Sequence, residues 1–153
     1  MKNFSRSLAL ALIVIGLGVT AVVAQKKAPA YKIVGINVTP FNEASGKFED
    51  MLTANSDRSF FNDLSTSLLV TFDVQGEVGS FEPGRMINIT VKEGKKIKVS
   101  RKVQVGLIGS EGHYFVPVWL NGPMCSDVNI TASLSGQKGT SSMKRRVPFI
   151  CGE

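Results

Sequence analysis

The sequence holds few of the side chains on which enzymes depend. It has one histidine in 153 residues, and that residue, His113, stands in a predicted glycine-rich turn. The motifs G-x-S-x-G, H-E-x-x-H and C-x-x-C are absent, so no nucleophile elbow, zinc-binding helix or redox pair is indicated. The acidic residues Glu49, Asp50, Asp57 and Asp63 share one irregular segment without EF-hand spacing. These absences predict a protein that is not an enzyme and that holds no cofactor and no metal.

Cysteine is scarce as well. Cys125 and Cys151 are the only two cysteines, and 25 residues separate them. In an oxidising compartment such a pair predicts one disulfide rather than a disulfide framework. In the chain-entropy description, that link stabilises the fold by about 3–4 kcal/mol. A reactive thiol is less favoured, because a catalytic cysteine needs a histidine close by.

Long apolar runs are absent except at the N-terminus. Basic residues precede an almost entirely apolar run from Leu8 to Val23, and small residues precede Gln25. This layout is typical of a secretory signal peptide, so residues 1–24 are predicted to be removed and the mature protein to be secreted or periplasmic. The 17 residues of 8–24 reach the lower limit of a membrane span, so an uncleaved anchor is the alternative. No membrane span is predicted after cleavage.

The mature chain is dominated by strand-like alternation. After a predicted flexible arm at residues 25–30, apolar and polar residues alternate in seven stretches, each with the period of a half-buried strand. Their apolar positions begin at Val34, Leu68, Ile87, Ile97, Tyr114, Val128 and Met143. Turn residues such as glycine, proline and asparagine separate the stretches. The pattern predicts an all-β domain over residues 31–153, folded as a single seven-stranded antiparallel sandwich.

The predicted architecture resembles immunoglobulin-like and fibronectin-III-like modules. The resemblance rests on the seven strand patterns over residues 31–151 alone, and it implies a fold without assigning a function. Such sandwiches commonly bury a tryptophan, so Trp119 is expected in the core. Pro117 and Pro148 each lack a backbone donor, which indicates edge strands.

Residues 40–65 depart from the alternation. Phe48, Met51 and Leu52 have helical spacing, so one or two turns of helix are predicted inside a long irregular insertion. A connection of this length in a compact sandwich is either functional or mobile.

Aromatic residues offer a candidate docking surface. Phe60 and Phe61 are adjacent rings in the insertion, and adjacent side chains of an extended segment point to opposite sides. Both are predicted docking aromatics. Tyr114, Phe115 and Trp119 are further candidates, with a place in the core as the alternative.

Charge is segregated along the chain. Residues 43–82 hold eight acidic and two basic residues, whereas residues 85–102 hold one acidic and seven basic residues. The simplest interpretation is that the two blocks lie side by side and neutralise each other. Alternatively, the hairpin over residues 92–102 presents a cationic strand face to an anionic ligand such as a surface polymer. The candidate residues for that surface are Lys92, Lys95, Lys96, Lys98 and Lys102. Nucleic acid is not a predicted partner, since no aromatic residues interleave with these lysines.

The last two predicted strands give two conflicting registers. Facing apolar stripes pair Val128 with Phe149 and Ile130 with Val147, whereas a directly opposed pair of cysteines is one residue out of step with them. A one-residue slip moves every side chain to the other face. Either a bulge reconciles the two registers, or the strands are not neighbours.

Three Asn-x-Thr sequons occur, at Asn37, Asn88 and Asn129, each on the polar side of a predicted strand. In a eukaryotic secretory pathway these residues would be glycosylation acceptors. In a bacterium they would be ordinary outward polar residues, and the short basic start of the leader favours this interpretation.

Together these features predict a secreted or periplasmic, non-enzymatic β-sandwich module that binds a protein or a surface glycan. The alternatives are a structural or accessory subunit of an envelope assembly, which would dock through an edge strand or the 40–65 segment, and a secreted enzyme inhibitor.

Overall fold

A computed structural model of the chain describes residues 28, 30–53, 60–62 and 65–151, with the backbone alone for residues 60–62, 150 and 151. The predicted leader at residues 1–24 and most of the predicted arm lie outside the described residues. The domain boundaries based on them therefore stay predictions.

The fold is all-β, as predicted, and consists of two four-stranded antiparallel sheets. The first sheet has the strand order β2-β1-β4-β7, and the second has the order β6-β5-β8-β9. A small parallel pair joins β3 to β10. The strands are β1 (Lys32–Asn42), β2 (Lys47–Phe48), β3 (Phe60–Asn62), β4 (Thr66–Gln75), β5 (Met86–Glu93), β6 (Lys96–Gln104), β7 (His113–Leu120), β8 (Val128–Ser135), β9 (Ser142–Val147) and β10 (Phe149–Cys151).

One hydrophobic core lies between the two sheets, and the period-two pattern explains it. Every second side chain of β4, from Leu68 to Val74, is fully buried, and the same holds for Ile87, Ile89 and Val91 of β5. Each such side chain stabilises the fold by about 1.5–3 kcal/mol relative to an exposed one. The seven predicted strands correspond to the seven long strands of the fold.

The predicted count of seven strands is too low. The predicted helix is also wrong for residues 40–53, because the described chain forms a hairpin there. The strand β2 pairs with the end of β1, with Phe48 opposite Phe41. Gly46 closes the turn with a φ of 67° and donates a hydrogen bond to the Asn42 carbonyl at 2.8 Å. Because this left-handed conformation favours glycine, the local sequence selects a turn where spacing alone indicated a helix.

The strands β8 and β9 are direct neighbours, but neither predicted register is correct. Val128 lies opposite Val147 and Ile130 lies opposite Arg145, two residues away from the pairing of the apolar stripes. A shift of two keeps the same side chains on the inner face. Arg145 alternates in step with Met143 and Val147, so it lies on the inner side of the second sheet in either register, and the shift places it opposite Ile130.

Arg145 joins the two sheets. Its guanidinium donates hydrogen bonds to the carbonyl oxygens of Ile36 (2.5 Å), Leu52 (2.6 Å) and Thr53 (3.1 Å), none of which belongs to its own sheet. Burial lowers the pKa of Arg145. These bonds fix the segment after β2 against β1, which Leu52 also contacts through a bridge to Val38.

Candidate functional site

The outer side of the first sheet carries a continuous set of apolar side chains. Strand alternation turns Val116, Val118 and Leu120 of β7 inward and the residues between them outward. Trp119 is 41% exposed and Phe115 is 51% exposed, so the expectation that Trp119 lies in the core is wrong. The residues that form this surface, here called the aromatic face, are Phe41, Phe48, Leu69, Phe115, Pro117 and Trp119.

Three rings at one end of the aromatic face contact each other edge to face. The centroids of Phe41 and Phe48 are 5.0 Å apart, and those of Phe41 and Trp119 are 5.4 Å apart, with interplanar angles of 62° and 61°. Phe48 and Trp119 are 6.2 Å apart and perpendicular at 90°. Each such pair contributes about 0.5–1.5 kcal/mol beyond its buried area. The cluster is therefore preformed, although Phe48 remains 55% exposed.

The only histidine lies at the other end of the same face and has a partner that the sequence did not predict. His113 Nδ1 lies 2.6 Å from an Asp73 carboxylate oxygen, and the Phe115 ring stacks on the imidazole at 6.0 Å. The β4–β7 register explains the arrangement, since it places Asp73 opposite Phe115 and Gln75 opposite His113. Among the described side chains, no serine, threonine or cysteine hydrogen-bonds to the imidazole, so a nucleophile–histidine–carboxylate arrangement is not assembled there.

The predicted docking aromatics Phe60 and Phe61 lie in β3. Their backbone pairs in parallel with Phe149 and Ile150 of β10. Because their side chains are outside the described part of the chain, their docking role stays a prediction. Tyr114 is half-buried and packs against the core, so it does not belong to the aromatic face.

The structure divides the lysines of the predicted cationic hairpin into two groups: Lys96 and Lys98 lie near Glu93, whereas Lys92 and Lys102 point away from the sheet. The hairpin itself forms, with β5 and β6 joined through Gly94 and Lys95. Lys98 makes an ion pair with Glu93 at 3.3 Å, and Lys96 lies opposite Glu93 in the register. A register shift after Val91 places Ile97 opposite Lys92, which breaks the predicted alternation.

Glu93 has several partners that hold its charge. Burial raises the pKa of the Glu93 carboxyl, but the hydrogen bond from the Cys125 N–H at 2.7 Å, the hydrogen bond and charge of Lys98 and the charge of Lys96 together lower it by more. The net pKa lies below the ordinary value, so Glu93 is charged at neutral pH and fixes Lys98 beside it. Lys98 is therefore a poor candidate for binding an external anion.

Lys92 and Lys102 instead point outward from the second sheet. They share its outer side with Lys144 and Arg146 of β9 and with serine, threonine and asparagine side chains. An open hollow of about 460 Å³ lies on β8 and β9, and its lining includes Thr131, Lys144 and Arg146. We call this outer side of β6, β5, β8 and β9 the polar face. Two of the three sequon asparagines, Asn88 and Asn129, lie on it.

Comparison with known proteins gives no assignment. No protein-family model matches the chain, and no curated protein matches it. In the described ranges, no helix is long and apolar enough to cross a membrane. Within the same residues, no three histidine, cysteine, aspartate or glutamate side chains form a group that could hold a metal ion.

Proposed function

We propose that the mature protein is an exported, non-enzymatic binding module that docks another protein on its aromatic face. The observation that carries this proposal is the cluster of Phe41, Phe48 and Trp119 on the outside of the first sheet. Large rings cost free energy when they face water, and contiguous exposed apolar patches are typical of interaction sites. Tryptophan and phenylalanine are also enriched at protein interfaces.

The shape of the cluster favours a protein over a sugar. The three rings meet at angles between 61° and 90°, so no two of them form a flat platform. A sugar ring stacks on a flat aromatic surface, whereas a ridged apolar surface complements the side chains of another protein. Leu69 and Pro117 extend the surface along the strands between the ring cluster and Phe115.

Export and a disulfide belong to the same proposal. The basic and apolar segments of residues 1–24 support cleavage after Ala24. A bond between Cys125 and Cys151 is supported by topology, because Cys125 precedes β8, and Cys151 ends β10 just after β9, the neighbour of β8. Both cysteines thus lie toward the same end of the second sheet.

A fibronectin-III-like arrangement is the finer fold that we propose. Counting only the seven long strands, the first, second and fifth form one sheet and the others form the second sheet. In immunoglobulin constant-type domains the fourth strand belongs to the sheet of the first strand. Here the fourth long strand, β6, pairs with the third, β5, which supports the fibronectin-III-like alternative.

Site-specific photo-crosslinking in the cells that make the protein tests the docking proposal. We expect a photoreactive phenylalanine analogue at position 48 to give a discrete crosslinked product with a second protein. The matched control carries the analogue at Leu107, which is 63% exposed but lies in the loop before β7, away from the ring cluster. The control should not give that product, and Trp119→Ser should remove it from the position-48 variant.

Three outcomes would contradict the proposal. The same products from positions 48 and 107 would show non-specific contact, and monomer alone from both would show that the face is not occupied. A product with twice the mass of the chain would show that a second copy covers the face.

A further inference from the structure

We propose that the polar face is a second binding site, whose ligand is a linear acidic polysaccharide carrying carboxylate or sulfate groups. This inference does not depend on the aromatic face, which lies on the opposite side of the sandwich. It rests on three properties of the outward positions of the second sheet: their charge, their spacing and the chemistry between the charges.

Charge on this face has one sign. The outward positions of the four strands include Lys92, Lys102, Lys144 and Arg146 and no acidic residue. Arg146 is held by Asp127, which precedes β8, at 2.6 Å. Among the described residues, ion pairs form at Lys98, His113 and Arg146, and none involves the other three lysines of the face. Three exposed ammonium groups are thus available to an anion.

The spacing of the three lysines indicates a polymer. The register places Lys102 of β6 opposite Asn88 of β5. Lys92 lies four residues after Asn88 on β5, and Lys144 lies on β9, two strands away from β5. With strands about 4.8 Å apart and about 3.4 Å per residue, the lysine backbones are roughly 12–16 Å from one another. A single phosphate or sulfate ion does not span these positions, whereas charges repeated along a chain do.

The side chains between the lysines favour a sugar over other polyanions. They are hydroxyls and amides that can donate hydrogen bonds to and accept them from sugar hydroxyls: Asn88, Thr90, Asn129, Thr131, Ser133 and Ser142. No outward position of the four strands holds an aromatic ring, so stacking with nucleic acid bases is not provided. The exposed apolar residue of this sheet, Ile97, lies on the edge strand β6, so the face offers little for insertion into lipid.

Binding to defined polymers tests the inference. We expect the purified protein to bind polygalacturonate or dextran sulfate but not uncharged dextran, with an affinity that falls from low to high salt. The triple variant Lys92→Gln, Lys102→Gln, Lys144→Gln should lose roughly threefold to hundredfold in affinity, since three exposed ion pairs of about 0.2–1 kcal/mol each sum to about 0.6–3 kcal/mol. Circular dichroism should show that this variant keeps the β fold.

A control of equal net charge makes the test specific. Lys32, Lys47 and Lys138 are exposed and lie outside the polar face, so their replacement by glutamine should leave the affinity within about twofold. Equal losses in the two triple variants would overturn the inference, because binding would then follow net charge alone. Binding to vesicles of anionic phospholipid but to neither acidic polymer would also overturn it in favour of a membrane surface.

Discussion

Replacement of Arg145 by methionine is expected to lower the free energy of unfolding by about 3 kcal/mol. The guanidinium makes three hydrogen bonds to backbone carbonyls, and those to Ile36 and Leu52 are short, at 2.5 and 2.6 Å. Methionine keeps most of the side-chain length but donates no hydrogen bond. The carbonyl oxygens then lose a charged partner where the two sheets meet. Urea unfolding at unchanged m-value measures the loss.

The neighbouring arginine provides the matched control. Arg146 is exposed and pairs with Asp127 at 2.6 Å, so Arg146→Met should cost at most about 1 kcal/mol. Arg145→Lys keeps the charge but lacks the planar fork, and we expect an intermediate loss. If the Arg145 and Arg146 variants lost the same stability, the proposed link between the sheets would be wrong.

Replacement of Gly136 by alanine is expected to cost about 3 kcal/mol, from backbone strain of about 1–2 kcal/mol and steric overlap of about 1–3 kcal/mol. Gly136 has a φ of 81°, and an added Cβ would collide with the carbonyl oxygen of Gly84. The neighbouring backbone has little room to move, because Arg85 is buried and its guanidinium donates to the Gly136 carbonyl at 2.6 Å. Thermal or urea unfolding measures the cost.

A second glycine in the same loop separates strain from collision. Gly139 has a similar φ of 86°, but an added Cβ there meets no atom within 4 Å. Gly139→Ala should therefore cost only the strain of about 1–2 kcal/mol. Equal costs at the two positions would show that the close approach of Gly136 to Gly84 is absent in solution.

The long strands were predictable because alternation with a period of two is a local property of the sequence. The pattern is less informative where both sides of a strand are apolar, as in β7. There, alternation separates Val118 from Trp119 but does not say which of them faces the core. The register with β4 decides it, because Val118 lies opposite the fully buried Val70 and Trp119 therefore points outward. A two-residue strand such as β2 is too short to show any period.

The contacts that assemble the candidate sites are long-range, and the sequence holds little signal for them. Asp73 and His113 are 40 residues apart, and Arg145 is more than 90 residues from Leu52. Their meeting depends on strand register and strand order. The lysine-rich hairpin was predictable from composition, but the register shift near Lys92 was not. The cationic surface therefore differs from the predicted one, because it also includes Lys144 and Arg146 of β9.

Fluorescence of Trp119 tests the exposed aromatic face most directly, because Trp119 is the only tryptophan in the chain. Acrylamide is a neutral quencher. The Stern–Volmer quenching constant of the folded protein should be a large fraction of the constant measured for the urea-unfolded protein. Substituting Phe48→Ser should increase the quenching, since the Phe48 ring covers part of the indole. Fluorescence that acrylamide barely quenches until the chain unfolds would place Trp119 in the core and contradict the binding face.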